Sequence, residues 1–89
     1  MGRRSKAEKA IEAAEDWDDA EGRFLVIYDF VGGNPFKFYR NLKKLFERYG
    51  GALIQRSVAE VGSLRAAMAI EILARSYGAR VMRVRVCEE

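Results

Sequence analysis

Residues 24–31 read Phe-Leu-Val-Ile-Tyr-Asp-Phe-Val (FLVIYDFV), and the reading of this stretch decides the fold. Seven of the eight residues are apolar, most of them β-branched or aromatic, which favours a pleated, buried strand. A strand with one wet face alternates polar and apolar residues. This one does not, so it is expected to be a central strand covered on both faces. The single polar residue, Asp29, stands just ahead of Gly32-Gly33-Asn34-Pro35, a strong turn signal. An acid in that place is a candidate for chemistry, and equally a candidate to cap the turn through an Asx hydrogen bond.

Downstream, Asn34-Pro35 reads as an N-cap followed by proline at the first helical position. A helix is predicted over 36–49, stopped by Gly50-Gly51. Phe38, Leu42, Leu45, Phe46 and Tyr49 share its core face, while Lys37, Arg40, Lys44 and Arg48 form a basic stripe. That stripe is either a solvated surface or a row of phosphate contacts. Residues 52–61 (ALIQRSVAEV) read as extended, either one kinked strand or two short strands with a tight turn or bulge near Arg56. Ser63 caps a second predicted helix that ends at Tyr77-Gly78, with Ala66, Ile70, Leu73, Ala74 and Tyr77 inward. Met68 and Ile72, with Leu64, widen its apolar band and are candidates for a subunit contact. Arg75 pairs with Glu71 by spacing. Residues 80–87 (RVMRVRVC) alternate, with Met82, Val84 and Val86 on one side and Val81, Arg83, Arg85 and Cys87 on the other. One face is expected to pack on the helices and the other to show arginines.

Upstream, residues 3–15 are helix formers with Ser5 as cap and Glu8 three residues on. Their apolar residues are mostly alanines, with Ile11 the only large one, so this helix is expected to bury little. Residues 1–22 are therefore read as a mobile N-terminal helical extension, which Trp17 could pin to the body or to a partner.

Strand, helix, extended pair, helix, strand is the βαββαβ order of an α+β, ferredoxin-like sandwich, here spanning residues 23–89 with an abbreviated middle hairpin. Such a sheet carries both helices on one face and leaves the other bare. An apolar first strand needs that bare face covered, and a second copy of the chain would do so, giving a two-fold homodimer joined through the sheets. If residues 52–61 were one strand, a small parallel βαβαβ sheet would result instead.

Composition narrows the chemistry. The chain has 89 residues, enough for one domain, and its apolar and charged content is ordinary for a globular protein. No apolar run approaches a membrane span, and no apolar segment follows the N-terminal charges as in a secretory signal. A lone cysteine, Cys87, suits a reducing, cytoplasmic setting. With no histidine and one cysteine, neither a zinc site nor a Cys–His nucleophile is plausible. Catalysis would fall to carboxylates, with a hard cation such as magnesium. Residues 1–22 carry four basic and seven acidic side chains, and residues 23–89 carry twelve and six. The globular part is thus basic, which favours phosphate-bearing partners.

Three segments carry a family resemblance. VIYDF resembles the opening strand, ending in Tyr-Asp, of the CRISPR-associated Cas-two family, the small subunit of the spacer-acquisition machinery. FYRNLKKLFERYGG is similar to its basic first helix closing on Tyr-Gly, and IQRSVAEV to its Val-Gln-x-Ser-Val-Phe-Glu segment. The matches span residues 24–61 in order. Residues 62–89 match only as a generic helix and strand, and residues 1–22 have no counterpart. The resemblance implies a metal-binding role for Asp29, contributed by both protomers across a two-fold axis. It makes Ser57, with Arg56 in the kinked segment, a second catalytic candidate after Asp29, and puts Arg40, Lys43 and Lys44 among the basic residues of the helix. Ala59 stands where the family usually has Phe, and the loop after Asp29 lacks the arginines common there. The family is described both as a metal-dependent nuclease and as a scaffold holding DNA beside the integrase subunit. The virulence-associated ribonuclease toxins share the same sandwich.

Three functions follow as expectations. The first is a nucleic-acid-binding dimeric scaffold, contacting DNA or RNA through Lys37, Arg40, Lys43, Lys44, Arg56, Arg83 and Arg85. The second is a magnesium-dependent endonuclease or endoribonuclease using Asp29. The third is an interaction or ligand-binding module on the same frame. No strand carries the aromatic signature of an RNA-recognition motif.

Overall fold

A computed structural model describes residues 4–32 and 35–87. Its elements run α1 (Lys6–Glu15), β1 (Glu21–Asp29), α2 (Phe36–Tyr49), β2 (Ala52–Gln55), β3 (Val58–Ser63), α3 (Leu64–Ser76) and β4 (Arg80–Val86). The strands form one four-stranded sheet in the order β2-β3-β1-β4, and every pairing is antiparallel. The result is an α+β fold of three helices and an antiparallel sheet, compatible with a ferredoxin-like arrangement. Residues 52–61 are two strands with a turn at Arg56-Ser57, and the sheet is antiparallel, so the parallel alternative is excluded.

β1 is central, as expected, but begins at Glu21 and ends at Asp29, leaving Phe30 and Val31 beyond it. Within one chain only one of its faces is covered. Phe24, Val26 and Tyr28 are buried under the helices, whereas Ile27 is 36% exposed on the open side. The strand fails to alternate in sequence because its outward residues, Leu25 and Ile27, are apolar too.

β4 corrects the expected facing. In register Arg83 lies beside Val26 and Arg85 beside Phe24, both inward residues of β1, while Met82 and Val84 lie beside Ile27 and Leu25. The arginines therefore lie on the helix side, and Met82 (61% exposed) and Val84 (36%) stand on the open face. Arg83 is accommodated because Glu71 of α3 meets it at 2.7 Å. Arg85 lies over the Phe24 ring, 5.7 Å from its centroid. The predicted Glu71–Arg75 pair is present at a looser 3.7 Å.

α2 and α3 follow their apolar periodicity. Ser63 caps α3, its Oγ accepting from the Ala66 N–H at 3.2 Å. Gly51, which follows α2, has φ +103°, and a Cβ there would fall 2.5 Å from the Glu60 carbonyl, so only glycine fits the turn into β2. The expected cap Asn34 lies outside the described residues.

α1 packs on the body of the fold. Ser5 and Glu8 cap it as expected, with Glu8 N–H donating to Ser5 Oγ at 3.2 Å. Ala7, Ala10 and Ala14 are buried where α1 packs against α3 and α2. Small side chains bury little area each, but they let the helices approach closely. Ala7 N–H donates to Asn41 Oδ1 at 3.2 Å, and Lys6 Nζ donates to the Ser76 carbonyl at 3.1 Å while sitting over the Tyr77 ring. Ile72 lies beside Lys6, Lys9 and Ala10, so α1 takes up part of the apolar surplus on α3. Trp17, 57% exposed, does not pin the segment by its ring; its backbone carbonyl accepts from Arg65.

Candidate functional site

The tip of the β2–β3 hairpin is fastened at one end of the sheet. The Tyr28 N–H donates to the Ser57 carbonyl at 3.0 Å. Two phenol hydroxyls, from Tyr28 and Tyr39, donate to the Arg56 carbonyl at 2.8 and 2.6 Å. Burial, reinforced by Tyr39, pushes the Tyr28 hydroxyl far above the ordinary tyrosine range, so it remains a donor. Through Tyr39 the first turns of α2 lie against this tip.

That arrangement gathers many of the sequence candidates at one end. Asp29, Arg56, Ser57, Lys37 and Arg40 are all exposed there, with Lys43 and Lys44 farther along α2. None of Lys37, Arg40, Lys43 and Lys44 makes an ion pair among the described residues, whereas Arg48 of the expected stripe is paired with Glu15 at 3.4 Å. Arg83 and Arg85 are not brought to this row. Arg83 is held by Glu71, and Arg85 lies toward the other end of the sheet, beside Gly22.

Asp29 stands opposite Arg80 in the ladder, at the edge of a shallow depression of about 200 Å³ that Ile27 and Met82 also line. Its donor set does not fit magnesium within one chain. The ion prefers six oxygens in octahedral geometry, and Asp29 offers one carboxylate across from a guanidinium. Among the described residues no three of Asp, Glu, Cys or His cluster to hold a metal. The turn for which Asp29 is a candidate cap includes Gly33 and Asn34, outside the described residues.

The open face has an ordered layout. Leu25, Ile27, Val58, Met82 and Val84 lie in register as an apolar centre. One end carries Arg23 and Glu60, paired at 2.6 Å, and the other carries Asp29 and Arg80. An open cleft of about 660 Å³ lies beyond the Arg23 end, lined by Asp19, Gly22, Gly51, Glu60 and Ser63 among others. Two of its acids are already engaged, Glu60 by Arg23 and Asp19 by backbone N–H groups. Asp19 accepts from the Arg65 and Ala20 N–H groups at 3.0 and 2.8 Å, and the Arg65 bond chiefly holds its carboxyl below the usual range.

Three participants were missed from sequence. Asn41 is buried within α2, bonding Ala7 N–H, the Lys37 carbonyl and the Tyr77 hydroxyl. Its spacing of three from Phe38 marks it as inward. Glu71 is the second, a carboxylate assigned to Arg75 alone. Phe36 is the third, an exposed ring one turn ahead of Arg40, a spacing readable in the sequence. No protein-family model, curated protein or solved structure matches the chain.

Proposed function

We propose that this chain is a nucleic-acid-binding, Cas-two-like protein that works as a homodimer and serves as a scaffold rather than as a nuclease. The observation that carries the reading is the row Lys37, Arg40, Lys43 and Lys44. Four exposed cations on one helix, with no carboxylate partner among the described residues, form a surface suited to a phosphate backbone. Arg56 extends it at the hairpin tip.

The open sheet face supports the dimer. Its apolar centre is flanked by charges of both signs at each end, so a two-fold copy can set Arg23 or Arg80 of one protomer near Glu60 or Asp29 of the other. The resemblance adds the role: holding DNA beside an integrase subunit. Cleavage with magnesium and Asp29 from both protomers is the second reading. It is favoured only by the exposure of Asp29 on the face the dimer would use.

The test is binding of a labelled DNA duplex and of its RNA counterpart at low salt, with and without magnesium, followed by denaturing electrophoresis. Binding without strand scission, unchanged in Asp29→Ala, is expected. Absence of binding to either duplex refutes the proposal. Scission that requires magnesium and disappears in Asp29→Ala would establish the nuclease instead.

A further inference from the structure

The loop of the β2–β3 hairpin is the pair Arg56-Ser57, since Gln55 and Val58 on either side of it are ladder partners. Two-residue hairpin loops favour turns with positive φ at one or both loop residues, because those turns match the twist of the strands. Neither Arg56 nor Ser57 has positive φ, and neither is glycine. β2 has only four residues, and its register shifts between Leu53 and Gln55. The hairpin by itself therefore supplies few constraints on its tip.

The constraints come from two other elements. The Arg56 carbonyl, which has two lone pairs, accepts from the hydroxyls of Tyr28 in β1 at 2.8 Å and Tyr39 in α2 at 2.6 Å. The neighbouring Ser57 carbonyl accepts from the Tyr28 N–H at 3.0 Å. Arg56 is an exposed residue at a hairpin tip, where water would otherwise serve its carbonyl. The two phenols thus do less to satisfy that group than to fix where it lies.

Tyr39 makes the link to the cationic row. Its ring packs against Phe38 and Tyr28, with centroids 5.3 and 6.2 Å away. A phenylalanine would make those ring contacts equally well; only the hydroxyl reaches the hairpin. Helical side chains lean toward the N-terminus of their helix, so this bond sets the tip beside the first turns of α2, which carry Lys37 and Arg40. The Arg56 side chain makes no ion pair among the described residues. Ordering a loop on binding costs affinity, and a loop anchored beforehand avoids that cost.

We propose that Tyr39, backed by Tyr28, is a positioning residue for Arg56: the two phenols lock the hairpin tip so that the Arg56 guanidinium meets a phosphate of the nucleic acid held by the α2 row. This rests on the nucleic-acid reading above and adds to it a second element in fixed relation to α2.

The experiment is a double-mutant cycle of wild type, Tyr39→Phe, Arg56→Ala and the double variant. Affinity is measured by fluorescence anisotropy on a labelled DNA duplex and its RNA counterpart at low salt. On a duplex that wild type binds, Arg56→Ala is expected to weaken binding and to flatten its salt dependence by about one phosphate contact. Tyr39→Phe should weaken binding roughly 2- to 13-fold, the range that one net hydrogen bond represents, and by no more than Arg56→Ala does. In the Arg56→Ala background, Tyr39→Phe should lose nothing further. A purely structural role would lower binding equally in both backgrounds, and that result overturns the proposal. So does either single variant binding like wild type. If the proposal fails while replacing Lys37, Arg40, Lys43 and Lys44 still weakens binding, the broader function stands. If wild type binds neither duplex, both fall.

Discussion

Asn41→Ala tests how α1 is held to the body. The Asn41 side chain accepts from Ala7 N–H at 3.2 Å and donates to the Lys37 carbonyl and the Tyr77 hydroxyl at 2.9 and 3.0 Å. Ala7 belongs to the first turn of α1, where N–H groups have no partner within the helix, and the residue is fully buried. Truncation therefore leaves a buried donor unsatisfied, at a cost of about 1–3 kcal/mol. The Lys37 carbonyl keeps its helical bond, and Tyr77, only partly buried, can turn to water. Alanine recovers about 0.5 kcal/mol through its better helix propensity. The net loss should be about 0.5–2.5 kcal/mol, lowering Tm by roughly 2–20 °C for a domain of this size. Urea and thermal unfolding followed by circular dichroism measure the loss, and amide exchange at Ala7 should speed up in the variant. A change below about 0.5 kcal/mol with Ala7 still protected would refute the reasoning.

Other outcomes follow from the same geometry. Ile27→Asp places a charge in the apolar centre of the open face and should convert a dimer to monomer in sedimentation without unfolding it; a wild type already monomeric at micromolar concentration contradicts the dimer. Arg83→Ala strands the nearly buried Glu71 carboxylate and should cost about 1–3 kcal/mol in urea unfolding, whereas removing the exposed Arg75 should cost under about 0.5 kcal/mol. Tyr28 has its pKa raised by burial, so its contribution to stability is complete below the unfolded tyrosine value of about 10 and declines as pH rises beyond it. Unfolding measured from pH 8 to 11 should show that decline in wild type, and a shallower one in Tyr28→Phe.

Much of the frame was legible because local signals agreed with one another. The apolar periodicity of α2 and α3 and the glycines after each set the helix limits, while the polar break at Gln55-Arg56-Ser57 marked the place of the turn without deciding between one kinked strand and two. Alternation in β4 gave two faces without saying which turns inward. Val81, Arg83 and Arg85 went to the helix side because Glu71 waits there for Arg83, a pairing across the fold that local spacing cannot reveal. The alanines of α1 read as weak by propensity and area, yet small size is what close helix packing requires. At the site, Asp29 and Ser57 stand at one end of the sheet as their places in the sequence suggest, since a strand end and a hairpin turn are both exposed. The separation of Arg85 from the α2 row was not legible, because it depends on which end of β4 lies nearest the hairpin tip.

The central claim, that α2 binds a nucleic-acid backbone, is tested most directly by the salt dependence of duplex affinity. Wild type is to be titrated beside a variant with Lys37, Arg40, Lys43 and Lys44 all changed to alanine. Each phosphate contact contributes about 0.9 to the slope of log K against log salt on B-form DNA. Wild-type affinity should fall steeply with salt, and the variant's slope should be shallower by roughly 3 to 4 at unchanged sequence preference. A flat wild-type dependence, or a slope that the four substitutions leave intact, would contradict it.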